Sequence, residues 1–143
     1  WDQDQTFGQF PRGTQEQREG LSINRPWNGR GAFLEKLFVS DKFKSKYLAA
    51  LGSINNSIIR IPEIEKQVQE LAGVLRESVK NESEERLKSF DKAASGKIFP
   101  LEMGPGFREP VQTTPLKSFM GARWKSVDDQ LKGRSEGATI RGR

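Results

Sequence analysis

The sequence predicts a mainly α chain: a short strand stub and a long loop, followed by about five helices. Three observations carry that expectation. Apolar residues recur at spacings of three and four between residues 31 and 131. Ser40, Pro62, Ser83, Gly96 and Gly133 punctuate those runs as starts and stops. The first 30 residues have no such run and are rich in Gln, Gly and Arg.

Residues 1–30 read as a strand end and an irregular loop, with turn signals at Phe7-Gly8, Pro11-Arg12-Gly13 and Asn28-Gly29. Phe33, Leu34, Leu37 and Phe38 then form one face of a short helix. Ser40 caps the next helix, and Asp41 suits the positive end of its dipole. Phe43, Tyr47, Leu48, Leu51 and Ile54 make its stripe, while Gly52 and Asn55-Asn56 weaken the far end.

The third helix has the clearest pattern. Pro62 fits a first turn, and Ile61, Ile64, Val68, Leu71, Leu75 and Val79 line one face. Lys66, Glu70, Arg76 and Lys80 occupy the opposite face. The stripe is shorter than three heptads, which favours packing within the domain over a coiled coil. Asn81 or Ser83 caps a fourth helix that Gly96 ends. Residues 96–112 hold Pro100, Gly104-Pro105-Gly106 and Pro110 and read as a loop. A fifth helix starts at Thr114-Pro115 and carries Leu116, Met120, Trp124, Val127 and Leu131, with Phe119 beside them. The organisation is therefore 1–30 strand end and loop, 31–132 helical lobe, and 133–143 flexible tail.

At 143 residues with 34% hydrophobic content and a mean hydropathy of −0.73, the chain suits one domain with a small core and polar arms. The net charge of +5 is spread through the helices, as solubility charge is, so no nucleic-acid partner is expected. Arg12, Arg18, Arg25 and Arg30 near Trp27 are balanced by Asp2, Asp4, Glu16 and Glu19. With no Cys and no His, the chain itself holds no Cys/His zinc site, thiol nucleophile or Ser-His-Asp triad. No apolar run reaches the ~18–20 residues of a membrane span.

The octad Trp1-Asp2-Gln3-Asp4-Gln5-Thr6-Phe7-Gly8 holds the candidate site residues. In an extended segment Asp2 and Asp4 point the same way, since strand side chains alternate. Two carboxylates beside a Gly turn suit a hard cation such as Mg²⁺. The same residues also serve as caps for turn N–H groups. A first residue of Trp rather than Met leads us to expect that the chain starts inside a larger protein. Asn55-Asn56-Ser57 and Asn81-Glu82-Ser83 match the glycosylation tripeptide, a pattern that often arises by chance.

In order, these blocks resemble the CotH family of spore-coat-type atypical protein kinases. The octad resembles the family's W-D-x-D-x-[ST]-[FW]-G segment. Phe33-Leu34-Glu35-Lys36-Leu37-Phe38, Asp41 to Leu51, Ile64 to Val79 and Leu116 to Leu131 resemble the helices that follow it. The resemblance runs from the octad to Leu131. It implies the C-terminal lobe of a protein-kinase-like fold, with residues 1–30 on the active-site side. It also implies transfer of phosphate from ATP to Ser of a coat or surface protein in a bacterial spore coat, on the cell surface or in secreted form.

Asp2 matches the family's metal-binding acidic position and Asp4 the second acidic position. Gln3 and Gln5 stand where family members commonly carry apolar residues. The resemblance implies Mg²⁺ and ATP in the parent protein, and the N-terminal nucleotide-binding part of that protein as the lobe's partner. No catalytic set is complete within the 143 residues. The fragment alone is therefore predicted to be inactive and to bind neither group tightly. The alternative expectation is a non-catalytic helical protein-interaction module, which requires an exposed apolar stripe.

Overall fold

The computed structural model describes residues 7–8, 13–27, 31–101 and 111–140. The chain is mainly helical. The elements in order are α1 (Gln15–Glu19), α2 (Ala32–Val39), α3 (Asp41–Ser53), a π turn (Ile54–Ile58), α4 (Ile61–Glu82), α5 (Glu84–Ala94), β1 (Phe99–Leu101), β2 (Val111–Thr113) and α6 (Leu116–Leu131). The expected strand stub falls on residues 1–6, outside the described residues. Contacts divide the chain into two units, Trp1–Gln9 with Ile61–Met120, and Phe10–Arg60 with Gly121–Arg143. The stretch 31–132, expected as one helical lobe, contributes to both.

In the first unit, α4 and α5 form an antiparallel hairpin about Ser83. Ser83 starts α5 by accepting the Arg86 N–H at 3.1 Å, and Glu84 and Glu85 favour the helix's positive end. Two ties then join the helices. Arg76 grips Asp91 through Nε and Nη2 at 3.0 and 2.9 Å, and Gln69 Nε2 donates to the Ala94 carbonyl at 2.8 Å. The bidentate geometry fixes register better than a point-charge pair does. Beyond Gly96, Phe99↔Thr113, Pro100↔Gln112 and Leu101↔Val111 pair antiparallel. Residues 96–112, expected as a loop, thus include β1 and the first two residues of β2. Phe99 is buried, and Lys92 Nζ lies 6.0 Å from its ring centre.

The α4 stripe is only partly covered. Ile61, Ile64, Val68 and Val79 are half-buried, but Leu71 is 62% exposed and Leu75 49%. The expectation that this whole stripe packs internally is corrected. α5 lies along one side of α4 and leaves the part of the roughly 100°-wide apolar face around Leu71 and Leu75 uncovered.

The second unit begins with an element absent from the expectation. Thr14 Oγ1 accepts the Gln17 N–H at 3.2 Å while Gln17 Oε1 accepts the Thr14 N–H at 2.9 Å. This reciprocal cap stabilises the five-residue α1 inside what was read as irregular loop. Ser40 caps α3 through the Phe43 N–H, as expected. Trp27, Phe43 and Tyr47 pack edge-on around Phe38, with ring centres 5.1, 5.6 and 5.1 Å away.

After α3 the helix widens into the π turn, in which Ile59 N–H bonds the Ile54 carbonyl at 3.0 Å. Asn55 is buried there at 2% exposure, so the Asn55-Asn56-Ser57 tripeptide is closed to glycan attachment in the fold.

The core of this unit is Ile23, Val127 and Ile140, at 1%, 4% and 2% exposure. Ile140 lies in the segment expected as a flexible tail. Over its described part that segment is tied down: Leu21 and Ala138 form a parallel bridge, with Ser22 N–H to the Ala138 carbonyl at 2.8 Å. Ala138 N–H returns to the Gly20 carbonyl at 2.7 Å. A lone Ile among Gly and Arg has no periodicity to reveal its burial.

Candidate functional site

Asp2 and Asp4 lie outside the described residues. Arg12 and Arg30 do too. What is described of the octad is its end. Phe7 has φ +53° and is half-exposed; Gly8 has φ +81° and is buried. A side chain on Gly8 meets two obstacles. Its backbone is left-handed, and a Cβ there would overlap the Phe119 ring of α6. The octad's glycine is therefore what allows its close approach to the final helix.

The C-terminal part of α6 organises the loop that follows α1. Gln130 Oε1 accepts the Ile23 N–H at 2.8 Å, and its Nε2 donates to Ser126 Oγ at 3.0 Å and to the Leu21 carbonyl at 3.3 Å. Gly137, at φ +75°, passes so close that a Cβ would strike the Gln130 amide. Ser22 Oγ adds a bond to the Glu136 carbonyl at 2.8 Å.

Arg123 is half-buried and donates through Nη1 to the Glu19 and Leu21 carbonyls. Burial pulls its pKa below the usual guanidinium value, partly offset by Tyr47. Tyr47 in turn is pushed above 10.0 by burial, which the Arg123 charge opposes. Trp124 Nε1 donates to the Asn55 carbonyl at 2.9 Å, joining α6 to the π turn.

Trp124 and Phe119, on and beside the apolar stripe of the last helix, are half-buried, and Arg123 is a carbonyl clamp. Gln130 drew no attention in the sequence. Its only signal is a polar residue at helical spacing from Val127 on the inward face.

The remaining acidic groups of α6 have structural partners. Asp128 bonds Lys132 Nζ at 2.8 Å and Arg134 Nη2 at 2.7 Å. Asp129 bonds Lys125 Nζ at 2.6 Å and Arg134 Nε at 2.8 Å. These cations hold both carboxyls below the ordinary carboxylate value, led by the Lys132 bond for Asp128 and the Lys125 bond for Asp129. Among the described residues, no three acidic groups gather to hold a metal ion. Arg18 donates to the Gly13 carbonyl at 2.7 Å, and Arg25 lies 5.8 Å from the Trp27 ring centre. Two of the four loop arginines thus serve local structure. Among the described residues, no helix is long and apolar enough to cross a membrane.

No protein-family model matches the chain, and no curated protein or solved structure matches it.

Proposed function

We propose that the chain is the C-terminal helical part of a CotH-like kinase. In the parent protein, phosphate passes from ATP to Ser of a coat or surface protein in a bacterial spore coat, on the cell surface or in secreted form. The observation that carries this reading is the approach of Gly8 to Phe119. It joins the first family-like block to the last, and the octad's closing glycine is sterically required there. The ordered helices between these blocks add to it.

In this reading Asp2 supplies the principal carboxylate for Mg²⁺ and Asp4 a second oxygen. A magnesium ion so held neutralises charge on the phosphates during transfer. The close approach of Gly8 to Phe119 of α6 supports a defined end for the octad that carries these carboxylates. The nucleotide-anchoring groups belong to the N-terminal partner lobe, so the 143-residue chain alone transfers no phosphate.

The test is paramagnetic. Mn²⁺ titrated into the chain should broaden the backbone signals of the octad before others, and Asp2→Asn should abolish that preference. Uniform broadening, or broadening unchanged in Asp2→Asn, contradicts the metal assignment.

A second reading has its own observation. Leu71, Val74 and Leu75 stand exposed on α4, as a non-catalytic helical interaction module requires.

A further inference from the structure

On α4, Leu71, Val74 and Leu75 are 62%, 77% and 49% exposed. At 100° per residue they share an arc of about 100° on the helix surface. α5 takes the adjacent side through the Arg76–Asp91 and Gln69–Ala94 ties. The other edge of the arc, next to Val74, carries Glu63, Glu70 and Glu77, one in every seven residues. Glu82 stands at the C-terminal end of the stripe.

Lys66 and Lys80 sit further round and reach Glu70 and Glu77 at 3.7 and 3.6 Å, with all four side chains more than half exposed. Such pairs contribute only a few tenths of a kcal/mol and yield readily to a competing cation.

We propose that this face seats a basic amphipathic helix of a partner protein. Apolar residues of that helix cover Leu71, Val74 and Leu75. Its Lys or Arg residues, spaced by seven, meet Glu70 and Glu77 in exchange for their exposed pairs with Lys66 and Lys80, in the manner of coiled-coil flanking charges. Charge decides against a second copy: an antiparallel α4 would set this acidic edge against itself. The inference deepens the interaction reading by naming the partner's chemistry, and it is independent of phosphotransfer.

The test uses the full chain and two synthetic peptides of about 20 residues, long enough to hold a helix. Both carry a Leu stripe; one has Lys and the other Glu at the flanking heptad positions. Calorimetry should show the Lys peptide binding at least ~10-fold more tightly, with the difference shrinking as salt screens it. Val74→Lys should abolish binding while leaving the circular dichroism unchanged. Glu70→Lys with Glu77→Lys should reverse the preference, which tests the charge row without touching the apolar residues.

Equal affinity for the two peptides overturns the proposal. Lys-peptide binding that survives Val74→Lys overturns this face but leaves the interaction reading standing elsewhere. No binding of either peptide overturns both. Dimerisation of the chain that Val74→Lys abolishes assigns the face to a second copy and overturns the partner-helix proposal.

Discussion

Gln130 accepts the backbone N–H of Ile23 at 2.8 Å across 107 residues of sequence, and both residues are buried. A backbone donor in that setting has no water to turn to, so the Gln130 amide adds a bond that solvent cannot replace to the Arg123, Ser22 and Ala138 ties on the loop after α1. The same amide donates to the Leu21 carbonyl, which reads both ends of the hydrogen-bonding capacity of an Asn/Gln side chain. Gln130→Leu keeps approximate volume and removes the acceptor. It should destabilise the chain by about 1–3 kcal/mol, the cost of an orphaned buried donor. The urea midpoint should fall, with little change in slope.

The approach of Gly8 to Phe119 makes a second prediction. Gly8→Ala adds left-handed backbone strain and a clash with the ring, together about 2–4 kcal/mol. Phe119→Ala removes the clash but not the strain. In a double-mutant cycle the pair should therefore cost less than the sum of the single substitutions. Additive costs would show that the two residues do not meet.

Gly73 lies in the interior of α4, and a Cβ there would meet nothing within 4 Å. Its flexibility is a cost with no packing gain to set against it. Gly73→Ala should raise stability by about 0.5–1 kcal/mol, measured as a higher thermal midpoint.

Asp128 and Asp129 give the chain an acid limb. Their folded-state pKa values are lowered by Lys132, Lys125 and Arg134 relative to the ordinary 3.8. The unfolded state therefore binds protons first as pH falls. The stability these pairs contribute is full above that ordinary value and is lost below it, as pH passes through the lowered folded values. Urea midpoints measured from roughly pH 2 to 6 should drop at the acid end. Asp128→Asn with Asp129→Asn should flatten that drop.

The helices from α2 to α6 were legible because each has a periodic apolar face, and α3 to α6 add a side-chain or proline start signal, whereas α2 starts at Gly31 with no side-chain cap. Ser40 and Ser83 mark their helices in sequence and bond the N–H groups expected of caps. α1 is five residues long, too short for a period to show, and is held by its Thr14/Gln17 cap. β1 and β2 have three residues each, and Pro100 in β1 reads as a loop signal.

The docking of Ile140 and the reach of Gln130 and Arg123 depend on contacts more than 100 residues apart, for which local pattern carries no signal. For the candidate site, the sequence located the octad and its glycine turn. The steric need for that glycine required the position of Phe119. Asp2 and Asp4 themselves lie outside the described residues.

In the proposed function Asp2 serves phosphotransfer. The direct measurement is phosphate transfer from labelled ATP to a Ser-containing coat protein, by the intact reading frame that encodes this chain. Asp2→Asn should lower the rate at least ~100-fold, as loss of charge stabilisation does, with the protein still folded. Undiminished transfer by Asp2→Asn, or robust transfer by the 143-residue chain alone, would contradict the account.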